Sequence, residues 1–409
     1  MSGNVLISGA SIAGPALAYW LGQYGFKPTV VELAPALREG GQAVDFRGET
    51  HLTVLERMGV LEQLRSIATG GGATRFVDRN GRQLLHLPPD FTGGEVEVRR
   101  GDLARALYRH SLPTTEYLFG DSVTALTETG TGVRVDFRHA ATREFDLVIG
   151  ADGLHSNVRR IAFGPEERFV SHLGYYAATW QLPNYLGLRP GQGSVGYNTP
   201  GRLASVGVDP RDPERAGAFF VFTAPRLEYD RHDPEQQKAL IADAFAGLGW
   251  EVPRLLDSLR RAPELYFDSI SRADVDSWSR GRIGLVGDAA CGATIGGMGT
   301  GTGVVAAYVL AGELARANGD HRAAFTRYEQ VLRGYAQGCQ KGGDRTGKFL
   351  APATATGIRF RNTLLSRPFF MNQMLELGKK VSSGIDLPDY RAELARAATC
   401  VPASPAPGR

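Results

Sequence analysis

Three carboxylates stand at the ends of short apolar runs, each close to glycine: Glu32, Asp152 and Asp288. A strand-end carboxylate can accept hydrogen bonds from ligand hydroxyls. In open α/β sheets, ligands gather at the carboxyl ends of the strands. The richest of the three places is Ile283-Gly284-Leu285-Val286-Gly287-Asp288. Six glycines follow between Gly292 and Gly303, and then an apolar helix is expected over about Val304 to Ala317. Glycine has no Cβ, so such a loop admits a large flat ligand against its backbone. The helix N-terminus behind it offers N–H groups and partial positive charge.

The second place is at the start. Gly9-Ala10-Ser11-Ile12-Ala13-Gly14 follows the apolar strand Asn4–Ser8 and opens an apolar helix through Trp20 and Leu21. The next strand, Thr29–Glu32, ends in an acid. Strand, glycine turn, helix, strand and acid in this order form a dinucleotide-binding fingerprint. Gly9 makes the tight turn, and Gly14 lets helix and strand pack closely. The helix N-terminus is expected to take a pyrophosphate, and Glu32 the adenosine ribose hydroxyls. Ser11 sits where glycine is usual; it is small and can add a donor. Ile12, Ala13 and Leu33 flank this turn and join it as candidate cofactor-binding residues.

The third place, Gly150-Ala151-Asp152-Gly153, follows the buried strand expected over Phe145–Gly150 and precedes a helix carrying Ser156 and Arg159. Two arginines are candidates to reach the same ligand. Arg47 stands between glycine-containing turns, and Arg100 precedes the first turn of a helix with Asp102, Leu103 and Leu107. Each is equally compatible with a solvated surface position. Val123 opens an alternating strand and is a further candidate neighbour.

Other elements must carry these groups. A helix is expected over about Glu49 to Met58. Arg75–Asp78 and Gln83–Leu87 flank Asn80-Gly81, a hairpin signal. From about Val170 to Ile270 the pattern changes to strand runs broken by Gly, Pro and Asp, at Tyr175–Leu182, Gly193–Tyr197, Leu203–Val208 and Ala218–Thr223. This predicts an antiparallel sheet rather than further βαβ units. Tyr176, Trp180, Phe220 and Phe222 stand on these runs. They either fill the sheet's own core or line a pocket for a flat apolar substrate, and are weak candidates for the second role. Helical patterns follow at Glu235–Ala246, Val252–Arg260 and about Arg322 to Gly338, with one long or two short helices over Pro368 to Ala398.

The composition, 43% hydrophobic over 409 residues, is globular, and the net charge of +3 gives no argument for nucleic acid or an anionic membrane surface. Three cysteines, Cys291, Cys339 and Cys400, are too scattered for a metal pair or disulfide framework, so no metal is expected and a reducing cytoplasm fits. No signal pattern or membrane-length apolar run is seen.

In order, these motifs resemble the single-component FAD-dependent aromatic hydroxylases of the para-hydroxybenzoate hydroxylase type, over most of residues 3–335. Within that family the chain is most similar to the tetracycline-inactivating monooxygenases and their actinobacterial relatives. The cues are Gly41-Gln42-Ala43-Val44-Asp45-Phe46-Arg47-Gly48 and Gly297-Met298-Gly299-Thr300-Gly301. The resemblance implies that Gly9–Gly14 and Glu32 hold the ADP half of FAD and that Arg100 contacts FAD. It places Asp152-Gly153 at both FAD and NAD(P)H, and Gly287-Asp288 at the ribityl chain. Gly297, Met298, Gly299, Thr300 and Gly301 would face the flavin, with Arg47 a possible neighbour. Cys291 and Ala293-Thr294-Ile295 replace the family's usual histidine and prolines; Cys291 is read as a buried structural thiol.

The implied fold is α/β: a Rossmann-like FAD-binding domain (1–73, 96–168 and 272–340) and a separate antiparallel-sheet substrate domain (74–95 and 169–271). A C-terminal helical segment (341–400) and a disordered tail (401–409) complete it. The implied reaction is NAD(P)H- and O2-dependent hydroxylation of an aromatic or polycyclic small molecule through a flavin hydroperoxide. NADPH is favoured over NADH, and the protein would be a monomer or weak dimer. No side-chain acid or base is assigned, with His172 and His232 as possible helpers. The alternatives are a Baeyer–Villiger oxygenase, an oxidase or reductase of the same fold, and a non-catalytic flavin-binding partner. A flavin-dependent halogenase would show a Trp-x-Trp-x-Ile-Pro segment, and Trp180 stands alone in its own.

Overall fold

A computed structural model describes residues 3–37, 43–293 and 299–399. Among the described residues, strands form four sheets. The first is six-stranded, in the order Ser279–Arg280, Ile283–Leu285, Leu147–Gly150, Asn4–Ser8, Lys27–Glu32 and Glu116–Phe119. All its pairs are parallel except Ser279–Arg280 with Ile283–Leu285. Val5, Leu6, Ile7, Val148, Ile149 and Leu285 are fully buried, as strands covered by helices on both faces require. Ser8 pairs with Gly150 and Val31, and Gly150 pairs with Leu285. The register therefore ends the strands before Gly9, Asp152 and Asp288 at one edge, where Glu32 also ends its strand.

The second sheet has seven strands, in the order Tyr266–Ala273, Val170–Pro183, Asp212–Thr223, Arg202–Asp209, Ser194–Thr199, Thr74–Val77 and Gln83–Leu87. The hairpin around Asn80-Gly81 thus joins the later strands. One pair, Ser194–Thr199 with Thr74–Val77, is parallel, so the sheet is mixed rather than wholly antiparallel. That pair joins two separate passes of the chain, where no hairpin turn imposes opposite direction. One face packs on the helices Pro234–Phe245 and Val252–Arg261. The other meets the C-terminal helices and a deep cleft.

Two helices differ from the sequence expectation. The helix after the glycine loop is Gly299–Arg316, starting five residues before Val304. Its early glycines serve close packing rather than a loop. A Cβ on Gly301 would enter the buried His51 ring, while Gly303 faces Ala13 of the first helix. The helix expected to end near Gly338 continues as His321–Leu350, through residue 340 without a break. Glycines that weaken it locally are held by tertiary contact: a Cβ on Gly347 would come within 2.6 Å of Tyr175. Ala355–Leu365, Pro368–Ser382 and Tyr390–Thr399 follow as separate helices. The tail from 400 lies outside the described residues.

Candidate functional site

One cleft of about 2240 Å³ runs from the strand ends of the six-stranded sheet to the open face of the seven-stranded sheet. Gly9, Ser11, Ile12, Ala13, Glu32 and Leu33 line it from the first fingerprint. Arg47, Arg100, Val123, Asp152 and Gly153 line it from the middle segments. Gly287, Asp288, Gly299 and Thr300 line it from the third motif. Gly14 and Gly301 are absent from its wall and sit behind it. A Cβ on Gly14 would collide with the carbonyl of Gly9, so this glycine sets the helix–turn distance. Gly297 and Met298 lie outside the described residues.

The turn geometry explains the glycine and acid spacing. Gly9 has φ +108°, and a Cβ there would stand 2.6 Å from the Ala151 carbonyl. Glu32 accepts one N–H on each oxygen, from Ala10 at 2.8 Å and Ala34 at 2.9 Å. Each oxygen keeps a lone pair for a further donor. Arg100 donates to Ser11 Oγ at 3.1 Å, joining its helix to the fingerprint turn. Asp152 is spent inside its own turn: it accepts from Ser156 Oγ, from the Val158 N–H at 3.0 Å and from Ser8 Oγ at 3.3 Å. Arg159, fully buried, donates to the carbonyls of Ala289 at 2.9 Å and Leu154 at 2.5 Å. It thereby bolts the Asp152 turn to the Asp288 turn.

Asp288 differs from Asp152. Its carboxylate accepts no hydrogen bond among the described residues. Burial pushes its pKa up, partly opposed by the positive charge of Arg100. Asp288 is half-buried at the cleft wall, and a carboxylate withdrawn from water there with no protein donor fits a site completed by ligand hydroxyls. Gly287, at φ +64°, turns the chain so that Asp288 opens a short helix, and the N-terminus of Gly299–Arg316 lies beside it. Glycine turns at two strand ends, two carboxylates with acceptor capacity and two helix N-termini along one cleft fit an extended dinucleotide such as FAD.

The aromatic candidates need correction. Tyr176, Trp180, Phe220 and Phe222 are all at most 3% exposed and pack with Phe245, Leu255 and Leu259 of the two covering helices. Trp180 borders the cleft, but its Nε1 donates to Ser258 Oγ at 2.9 Å on the far side. Side chains alternate across a strand, so the neighbours of opposite parity, Thr179, Gln181 and Phe219, reach the cleft instead, with Leu203 and Ser205. His172 bonds the Ala224 carbonyl at 3.0 Å and lies 5.1 Å from the Tyr176 ring at a tilt of 46°, and His232 is exposed; neither lines the cleft. Cys291 is buried, and burial pushes its thiol far up. It is not a nucleophile at neutral pH.

Two histidines were missed. His51 is 1% exposed, and burial depresses its pKa to about 4. Its Nδ1 accepts the Arg47 N–H at 3.2 Å, so the proton sits on Nε2 and is donated to Tyr335 Oη at 2.7 Å. This pins Arg47, on one cleft wall, against the helix at Gly301. His155 lines the cleft between Glu166 at 2.9 Å and Asp268 at 3.2 Å. Burial alone would lower its pKa, but the hydrogen bonds to Asp268 and Glu166 outweigh it and the net shift is upward. Neither histidine belongs to a sequence motif; each has one partner far along the chain, Tyr335 at 284 residues and Asp268 at 113.

Comparison with known proteins agrees with this geometry. The model of the FAD binding domain family matches residues 3–331. An uncharacterised protein of Mycobacterium tuberculosis is 45% identical over 341 residues, covering 82% of this chain and 91% of that one. A flavin-dependent monooxygenase of Legionella longbeachae is 35% identical over 405 residues, covering 95% and 98%. The crystal structure of the tetracycline destructase Tet(55) superposes with a TM-score of 0.83 at 35% identity, covering 95% of this chain and 99% of that one. Among the described residues no helix is long and apolar enough to cross a membrane, and no cluster of metal-ligating side chains occurs. A cleft that joins three glycine-and-acid turns to an open sheet face fits these matches: the chain belongs to the FAD binding domain family and is an FAD-dependent monooxygenase.

Proposed function

We propose that this protein uses NAD(P)H and O2 to add one oxygen atom to a polycyclic aromatic or polyketide-like small molecule. The observation that carries this reading is the continuity of the cleft. Its volume of about 2240 Å³ exceeds the ~300–1,000 Å³ of an ordinary small-ligand pocket, enough for a dinucleotide and a fused-ring substrate together. When bound, FAD supplies the hydride-accepting and oxygen-activating chemistry. The chain supplies placement. Glu32 and Asp288 take hydroxyls at the two ends of the cofactor. The N-terminus of Gly299–Arg316 offers N–H groups and positive potential where reduced flavin carries negative charge. The apolar wall of Phe76, Leu203, Phe219 and Phe349 excludes water from the reacting end.

Similarity to the tetracycline destructases Tet(51) and Tet(55), at 32% and 35% identity over 95% of this chain, supports a fused-ring substrate class and a role in modifying such compounds. The proposal is tested with purified holoprotein and a panel of fused-ring phenols and polyketides, tetracycline included. The expected result is substrate-stimulated NADPH oxidation with a product heavier by one oxygen atom. Oxidation of NADPH without oxygen incorporation across the panel would instead mark a reductase or oxidase.

A further inference from the structure

The helix His321–Leu350 carries one face along the cleft. Gly338, Lys341, Arg345 and Phe349 recur at spacings of three, four and four, and all four line the cleft. The two ends of this stripe are anchored differently. Near Gly338, Tyr335 bonds His51, and Cys339 interacts with Thr302 in the first turns of the flavin-facing helix. At the other end, Phe349 packs 5.7 Å from Phe91 in the apolar part of the cleft. A rise of roughly 1.5 Å per residue puts Arg345 about 6 Å from Phe349 and about 10 Å from Gly338 along the axis. Lys341 and Arg345 therefore stand between the flavin end and the aromatic end.

They also differ from three other cations of the cleft, though Arg138, which lines it too, likewise has no side-chain partner among the described residues. Arg47 pairs with Asp45, Arg99 with Asp209, and Arg100 bonds Ser11. Neither Lys341 nor Arg345 has an ion pair or hydrogen bond among the described residues. Of the carboxylates lining the cleft, Asp45, Asp209 and Asp152 are already engaged elsewhere, and Asp288 and Glu264 make no ion pair with either cation among the described residues. Two cations without an ion pair among the described residues, on a concave, largely apolar wall, put positive potential before whatever lies there. A guanidinium also matches the paired oxygens of a carboxylate or an ionised 1,3-dicarbonyl.

We propose that Lys341 and Arg345 form an anion subsite that selects fused-ring substrates bearing an ionised acidic group, a carboxylate, phenolate or enolate. The inference rests on the polycyclic-substrate reading above. The apolar end takes the rings, and the ionised oxygen faces the cation pair on the flavin side. Held there as an anion, a phenol or enol is more electron-rich toward oxygen transfer. The position between substrate wall and flavin distinguishes this from a site for the phosphates of NAD(P)H, and the test separates the two.

Binding to the FAD-loaded enzyme is measured by fluorescence titration with two probes, 3-hydroxy-2-naphthoate and the neutral 2-naphthol, and with NADP+. Wild type should bind the naphthoate at least tenfold more tightly than the naphthol, a preference that shrinks with salt. The double variant K341Q/R345Q should lose the preference while keeping naphthol affinity and FAD content. The charge-preserving K341R/R345K should retain most of it. Equal binding of both probes by wild type, or a preference that survives K341Q/R345Q, would overturn the proposal. So would a loss confined to NADP+. Because the readout is binding, failure of these probes to be oxygenated bears only on the reaction proposed above.

Discussion

Gly301→Ala tests the packing that positions the helix Gly299–Arg316. By intrinsic propensity alone the change should help, since alanine is favoured over glycine inside a helix by about 0.8–1.0 kcal/mol. The surroundings reverse the sign. The new Cβ would enter the His51 ring, and that ring has nowhere to go: it is 1% exposed and held at both nitrogens, by the Arg47 N–H and by Tyr335. Overpacking a tight site costs ~1–3 kcal/mol. Displacing His51 leaves the Arg47 N–H without its acceptor, a further ~1–3 kcal/mol. After the propensity gain the net loss should be about 3 kcal/mol. At roughly 2.1 cal/mol/K per residue of unfolding entropy, over 409 residues, this lowers Tm by about 3–4 °C. Gly334→Ala is the matched control. Gly334 lies in the interior of the helix His321–Leu350, exposed, with nothing within 4 Å of its would-be Cβ, so the same change should raise Tm by about 1 °C. Thermal unfolding of the FAD-loaded proteins reads both. Gly301→Ala and Gly334→Ala moving Tm in the same direction by similar amounts would refute the close approach of Gly301 to His51.

Asp288→Ala should weaken FAD binding at least tenfold by removing a strand-end carboxylate that accepts no hydrogen bond among the described residues, read by loss of the yellow cofactor on ultrafiltration; tight yellow holoprotein would sink the assignment. Phe219→Leu should change KM for an accepted substrate. Phe220→Leu should cost ~1–2 kcal/mol of stability and leave KM alone, because its ring faces the covering helices; the reverse outcome would restore the residues first assigned to the pocket. His155→Gln should flatten the pH dependence of stability. His155 has a raised pKa in the fold, so its two ion pairs contribute fully below the ordinary imidazole value of 6.5 and are lost as pH rises through the folded value. Thermal midpoints from pH 6 to 9 should fall in wild type and stay level in the variant.

How far the sequence reaches follows from the range of the forces involved. The glycine-and-acid turns were legible because their physics is local. A glycine at positive φ, a strand-end acid and a helix N-terminus stand within a few residues of one another, and parallel pairing brings the turns to one edge. The substrate wall was not legible in the same way. Every strand of a sheet packed on both faces has apolar residues at both parities, so Phe219 and Phe220 look alike until the helices Pro234–Phe245 and Val252–Arg261 are seen to cover one face. The long helix hid for a related reason. Gly338 reads as its end by propensity, while Tyr175 requires a glycine at 347 so that the helix can approach. Ending the helix at Gly338 also concealed the spacing of Lys341, Arg345 and Phe349, which has meaning only if the helix continues. On the proposal above, specificity lies on a helix whose local sequence argues against it and whose packing holds it in place. Changes that restore ordinary helix propensity there, such as Gly347→Ala against the Tyr175 ring, should disturb substrate selection before they disturb FAD. KM for an accepted substrate should rise while FAD affinity stays within about twofold; parallel loss of both would show that the helix serves the cofactor instead.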